Sequence, residues 1–118
     1  MSFRITETRE DNGILVLNIN GKITLSTCLI FRGIVSTVLN DGRKKIILNM
    51  KGVPFIDSSG LGELISFWSS AKRPEIKAKI KLASVQEKVD DLLTITKLYT
   101  VFEKFDSVDK AVESFNSQ

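Results

Sequence analysis

Two hydrophobic periods share this chain. In "FRITETRE" Phe3, Ile5 and Glu7 fall on one side and Arg4 and Thr6 on the other, the two-residue period of an edge-type strand. Asp11-Asn12-Gly13 is a strong turn signal, and "ILVLNI" behind it reads as a second strand, so the chain opens on a hairpin. Gly21 breaks the run and Ile23 begins a short extension. The period then lengthens. Cys28, Phe31, Val35 and Val38 recur at helical spacing, which predicts a helix over residues 26–40 with Ser26 or Thr27 at its start. Asn40-Asp41-Gly42 ends it.

"KKIILNM" is a short, nearly continuous apolar run, as the centre of a covered sheet requires. "KGVPFIDSS" reads as a loop and "GLGELISFWSSAKR" as a second helix. In "IKAKIKLA" the alternation is strict: Ile76, Ala78, Ile80 and Leu82 point one way, Lys77, Lys79 and Lys81 the other. The lysines read as a solvated strand face that discourages edge pairing. A third helix is expected from Val85 through Leu93, a last short strand around Val101, Phe102 and Phe105, and a final helix over "SVDKAVESF" capped by Ser107. Strands and helices mixed in this order argue for one α/β domain over residues 1–118, a sandwich of a mixed central sheet with helices packed mainly on one face.

Composition narrows the chemistry. The chain has 118 residues, 42% of them hydrophobic and 26% charged, enough for a real core in one small domain. It has no histidine, which excludes a Ser-His-Asp hydrolase and any zinc site with imidazole ligands. No cofactor or metal is expected. The single cysteine, Cys28, has no partner for an internal disulfide, which suits a reducing cytoplasm. No leader-like or membrane-spanning apolar run is seen, so a cytoplasmic protein with no membrane partner is expected. A net charge of +3 is too weak to point to nucleic acid.

The segment that asks for an explanation is "FIDSSGLGEL", where an apolar strand gives way to a helix. A nucleophilic Ser58 or Ser59 lacks a base, and "DSSGLG" is not the G-x-S-x-G elbow. The glycines do not have the spacing of a phosphate-binding loop, which also requires Gly-Lys-Ser/Thr. The plainest reading is a helix start capped by Asp57 or Ser58. It leaves Gly60 and Gly62 unexplained, since each costs about 1 kcal/mol of helix propensity against alanine. A phosphate acceptor fits better. A serine in the first turn offers its hydroxyl where free amides and the helix dipole favour an anion. On this reading Asp57 orients the hydroxyl, and Gly60 is bare so that another protein's active site comes close.

These residues resemble the signature of STAS domains, and among them the bacterial anti-sigma-factor antagonists. "TCLIFRGIVSTVL" resembles the family's first helix, "KKIILNMKGVPFIDSSGLGELI" its central strand, loop and second helix, and "LLTITKLYTVFEKFDSVDKAV" its C-terminal stretch. The resemblance implies that Ser59, directly before the first glycine, is phosphorylated by the anti-sigma factor, a serine kinase of GHKL type. The unphosphorylated form binds that kinase and frees the sigma factor; phosphorylation breaks the complex and a PP2C-type phosphatase restores it. Asp57, Ser58, Gly60, Leu61, Gly62 and Thr24 then form the phosphosite loop and its partner contact. Thr24 stands where many members carry an aspartate, and "KRPEIKA" replaces the family's glycine turn. The alternative is a STAS interaction module of another system, a transporter accessory or a stress-signalling scaffold.

Three further features carry expectations. Cys28 lies on the apolar stripe and reads as core. Phe67 and Trp68 are adjacent, so one is core and the other is either partly exposed by chance or a partner contact. Ile30 and Ile34 lie off the main stripe, either on a broad buried face or on an exposed strip serving partner binding or weak self-association.

Overall fold

The computed structural model describes residues 3–117; Met1, Ser2 and Gln118 of the expected 1–118 domain lie outside the described residues. A hairpin of β1 (Arg4–Arg9) and β2 (Ile14–Asn20) opens the chain. There follow α1 (Cys28–Asn40), β3 (Lys45–Gly52), α2 (Ser58–Ala71), β4 (Lys79–Ala83), α3 (Glu87–Ile95), β5 (Glu103–Phe105) and α4 (Val108–Asn116). The hairpin turn at residues 11–13 places Asn12 and Gly13 at positive φ, which the Asn-Gly pair tolerates.

The five strands lie in sequence order, β1 antiparallel to β2 and the rest parallel. Parallel neighbours need crossovers, and crossovers that advance in one direction with one hand deliver their helices to one face. Helices α1, α2 and α3 accordingly share a core with that face. Leu15, Leu17 and Ile19 of β2, Ile46, Leu48 and Met50 of β3, and Ile80 and Leu82 of β4 pack with Phe31, Leu64, Phe67, Val89 and Leu93. Phe31 and Phe67 meet edge to face, their ring centroids 6.2 Å apart. Cys28 is buried in the core region, as its place on the stripe predicts. Phe67 is the core member of its pair and Trp68 is half-buried, with the Lys72 ammonium 4.7 Å from its ring centroid. The expected fold class is the observed one.

The opposite face corrects one reading. Strand β4 begins only at Lys79, and Lys77 sits before it in a turn at φ 53°. Lys79 is exposed, but Lys81 is fully buried, 0% accessible. The lysine face is not solvated there because α4, which follows the last strand and crosses nothing, folds onto it. Ala111 and Phe115 pack on Ile14, Val16, Ile47 and Ala83 in a second, smaller core. The Lys81 ammonium lies 4.2 Å from the centroid of the Phe115 ring and 5.5 Å from that of Phe105, and donates to Ser114 Oγ at 2.6 Å. Glu103, mostly exposed, is 3.9 Å away. Strict alternation shows that a strand has two faces but not that a distant helix covers the polar one. Beyond α4 this face is polar: Asn49 donates to Asn18, and Asn18 to Thr8.

Burial pushes the Lys81 pKa below its ordinary 10.5, opposed by Glu103, with Lys79 lowering it further. The unfolded chain therefore binds this proton more tightly than the folded one. The stability linked to this group is fully present above pH 10.5, fades as pH falls through the lowered folded pKa, and is absent below it. We expect Lys81→Met, which keeps the length and removes the charge, to match or exceed the wild-type stability at pH 7 by about 1–2 kcal/mol. The gap should narrow as pH rises towards 10. Urea midpoints of both proteins from pH 7 to 10 test this; a wild type that loses ground to the variant with rising pH contradicts the assignment.

Candidate functional site

The serines sit where β3 hands the chain to α2. After Gly52 the backbone turns, Val53 N–H donating to Met50 O, and continues without regular structure to Ile56. Ile56 forms an isolated parallel bridge with Ile23, the short extension expected after Gly21. Ile23 N–H donates to Phe55 O at 3.1 Å and Asp57 N–H to Ile23 O at 3.2 Å. The two loops at this end of the sheet are thereby zipped together immediately before α2 begins.

Asp57 is the N-cap, with an extended backbone. Its Oδ1 accepts from Gly60 N–H at 2.9 Å and its Oδ2 from Leu25 N–H at 3.1 Å. Both oxygens are thus spent on backbone amides. The carboxylate ties the helix start to the loop before α1, and the expected hydrogen bond orienting a serine hydroxyl is not made. The Gly60 amide, chiefly, holds the Asp57 carboxyl below its ordinary 3.8; partial desolvation opposes this, and the Leu25 and Ser59 amides add to it. The loop it grips is closed on itself. Thr27 Oγ1 accepts from Thr24 N–H at 3.0 Å and donates to Lys22 O at 2.7 Å, while Thr24 O accepts from the amides of Thr27 and Cys28. Thr27 holds the N-cap position of α1, but its hydroxyl braces this turn and caps no helical amide; the helix starts at Cys28, two residues later than the pattern predicts.

Gly60 corrects a second reading. It is not bare for a visitor but buried, in the first turn of α2. A Cβ there would stand 2.1 Å from the Ile23 carbonyl oxygen and 2.7 Å from the carbonyl carbon, both backbone atoms. The glycine lets α2 press onto the Ile23 strand extension. The open glycine is Gly62, exposed and with nothing within 4 Å of an added Cβ. Ser58 and Ser59, read as the end of a loop, are the first two residues of the helix. Ser58 is exposed, Ser59 half-buried, and Leu61 packs half-buried against the main core. Thr24 is half-buried in the adjoining loop, so the structure brings Thr24, Asp57, Ser58 and Ser59 to one end of the fold.

An ion pair here was not foreseen. Glu63 of α2 is 8% accessible. Arg32 of α1 covers it: Nε lies 3.1 Å from both carboxylate oxygens and Nη2 donates to Oε2. The Arg32 hydrogen bonds hold the Glu63 carboxyl below its ordinary value, against desolvation. The available signal was Glu63 itself, a carboxylate between Gly60 and Leu64 on the buried stripe, which demands a cation. Around the site large apolar side chains face solvent. Leu25 is 73% accessible, Leu29 67%, Ile30 52% and Phe55 45%. Ile30 thus belongs to an exposed strip, while Ile34 is half-buried. Phe55 also walls a shallow groove of about 300 Å³ with Ile56, Leu92 and Ile95. Among the described residues no helix is long and apolar enough to cross a membrane.

A strand-ordered sheet with three crossover helices on one face and a serine pair at the start of the second helix defines a class. The STAS domain family model matches residues 6–111, and the chain belongs to that family. Among individual relatives, a Thermotoga neapolitana protein named as a candidate anti-sigma factor antagonist, a homolog of TM1081, is 27% identical over 101 residues, covering 85% of this chain and 88% of its own. The crystal structure of TM1081 from Thermotoga maritima, described in the same terms, superposes with a TM-score of 0.82 at 25% identity over 95% of this chain and 92% of that one. The phosphorylated form of the Bacillus cell fate determinant SpoIIAA shares the fold at 16% identity, with a TM-score of 0.72 over 95% and 99% of the two chains.

The two glycines should respond oppositely. Gly60→Ala forces backbone apart and should cost about 2–3 kcal/mol. Gly62→Ala meets no atom and should stabilise by about 0.5–1 kcal/mol. Chemical denaturation of both variants checks this, and a neutral Gly60→Ala contradicts the close approach. Acid is a second probe. A depressed Asp57 pKa contributes stability that is present above pH 3.8 and lost as pH falls through the lowered folded value. Asp57→Asn should therefore flatten the fall in urea midpoint below pH 4, leaving the part due to Glu63; an unchanged slope contradicts the clamp.

Proposed function

We propose that this chain is an anti-sigma-factor antagonist that works by partner switching, as a binding module and not as an enzyme. Unphosphorylated, it binds an anti-sigma serine kinase of GHKL type through the end of the fold that carries Thr24, Asp57, Ser58, Ser59, Leu61 and Gly62. Phosphorylation of Ser59 releases it, and a PP2C-type phosphatase resets it. The observation that carries this reading is the pairing of a serine turn with exposed Leu25, Leu29 and Phe55 at the same end. Large apolar side chains left in water are the usual anchors of a protein interface. A hydroxyl beside them is desolvated cheaply. A phosphate there carries roughly −1.5 to −2 charges and resists the same burial by several kcal/mol. Ser59 is the acceptor by its place directly before Gly60 and in the first turn of α2, where amides and dipole favour the anion. Ser58, its more exposed neighbour, is the competing site.

The test uses three immobilised proteins in lysate of the source organism with ATP. Ser59→Ala should retain a GHKL-type kinase, identified by mass spectrometry, while wild type should acquire phosphate on Ser59 and release that kinase. Ser59→Asp, one charge on a short arm, should bind it about ten- to a thousandfold more weakly by calorimetry with the purified kinase. Equal binding by all three, or phosphate confined to Ser58, overturns the reading.

A further inference from the structure

Ser59 and Glu63 are four residues apart on α2 and so share a face, with Cβ atoms about 5–6 Å apart. A phosphate on Ser59 would therefore meet a carboxylate on its own helix. Arg32 already covers that carboxylate. It comes from α1, whose start is tied alongside the start of α2 through Leu25 and Asp57. Side chains of both helices lean towards their amino termini, so the Arg32–Glu63 contact is displaced towards the turn that carries Ser59. The Arg32 side chain is 58% accessible although its partner is only 10% so. Its Nε and Nη2 face Glu63, and Nη1 makes no hydrogen bond among the described residues. The guanidinium thus presents one edge to a buried carboxylate and leaves another open.

We propose that Arg32 is the positioning residue that receives the phosphate on Ser59, its free edge binding the phosphate oxygens while the opposite edge keeps Glu63. This rests on the reading of Ser59 as the acceptor. A planar fork with five N–H groups can hold two anions at once, which a lysine ammonium does with far less geometric definition. The other charged groups on α2 at this turn, Asp57 and Glu63, are both anions, so without Arg32 the phosphate faces only like charge on its own helix, and Lys22, exposed in the loop packed on Gly60, is another cation at this end. The modified turn then stays folded against α1, and a fixed ion pair borders the apolar patch where a neutral hydroxyl had been.

Phosphoserine placed at position 59 during translation, by amber suppression, makes the test independent of any kinase. A failure here is thus distinct from a failure to find Ser59 phosphorylated in cells. The readout is the ³¹P shift of the phosphoserine titrated from pH 4 to 8, whose ordinary second pKa is about 6. Arg32→Gln should raise that midpoint by about 0.5 pH unit or more relative to the wild-type background. Glu63→Gln, which frees the whole guanidinium, should lower it. Coincident titration curves in all three backgrounds overturn the proposal. If Arg32→Gln is unfolded by circular dichroism, Arg32→Lys replaces it: a midpoint raised above the wild-type value, by less than the roughly 0.5 unit expected of Arg32→Gln, supports the fork, and an unshifted one overturns it.

Discussion

The amino terminus of α2 touches the Ile23 backbone at a separation that only a glycine permits. Everything at this end of the molecule follows from that approach. It sets the height of α2 over the sheet, places Asp57 where one carboxylate reaches both Gly60 and Leu25, and brings the loop before α1 against the loop after β3. Ser58 and Ser59 are then displayed on a turn fixed from three sides: by the Ile23–Ile56 bridge beneath, the Asp57 clamp beside, and the Arg32–Glu63 pair one turn further on. Such a turn gains or loses a charge without its backbone having to find a new conformation. On the proposed reading, that property suits a serine to act as a switch in a binding module, with the free energy of the modification falling on the partner's side of the interface.

Much of this was legible in the chain. Period two and period three-point-six separated strands from helices because alternate strand residues face the large core under α1, α2 and α3, and each of those helices buries one stripe against it. The continuous apolar run of β3 announced the central strand, and Asn12-Gly13 the hairpin. The "DSSG" turn marked the candidate site because a cap followed by costly glycines is a local conflict that needs a reason. The reason given for Gly60 was wrong in kind. Pattern shows that the backbone must be bare; it does not show whether the neighbour is a visitor or the chain's own Ile23.

The other misreadings share a cause. Lys81 alternates with apolar residues as a wet lysine does, and only α4, more than twenty-five residues away, makes it the occupant of a second core. There the Phe115 and Phe105 rings and the Ser114 hydroxyl stand in for water around the ammonium. Arg32 and Glu63 lie 31 positions apart, and nothing local to either marks them as a pair. Asp57 was seen as a cap, but its second oxygen serves an amide 32 residues earlier. In each case the missing information is a contact between distant elements, which periodicity cannot carry.

The central claim is that the serine turn is a prebuilt platform whose phosphorylation changes charge and not fold. Amide hydrogen exchange of the protein with serine and with phosphoserine at position 59 tests it most directly, read at the Leu25 and Gly60 amides that Asp57 holds. The account predicts that both amides remain protected, with exchange rates changed by less than about tenfold, a change in opening free energy of under about 1.4 kcal/mol. Loss of protection at Leu25 and Gly60 on phosphorylation would contradict it, because the switch would then be a local unfolding of the turn.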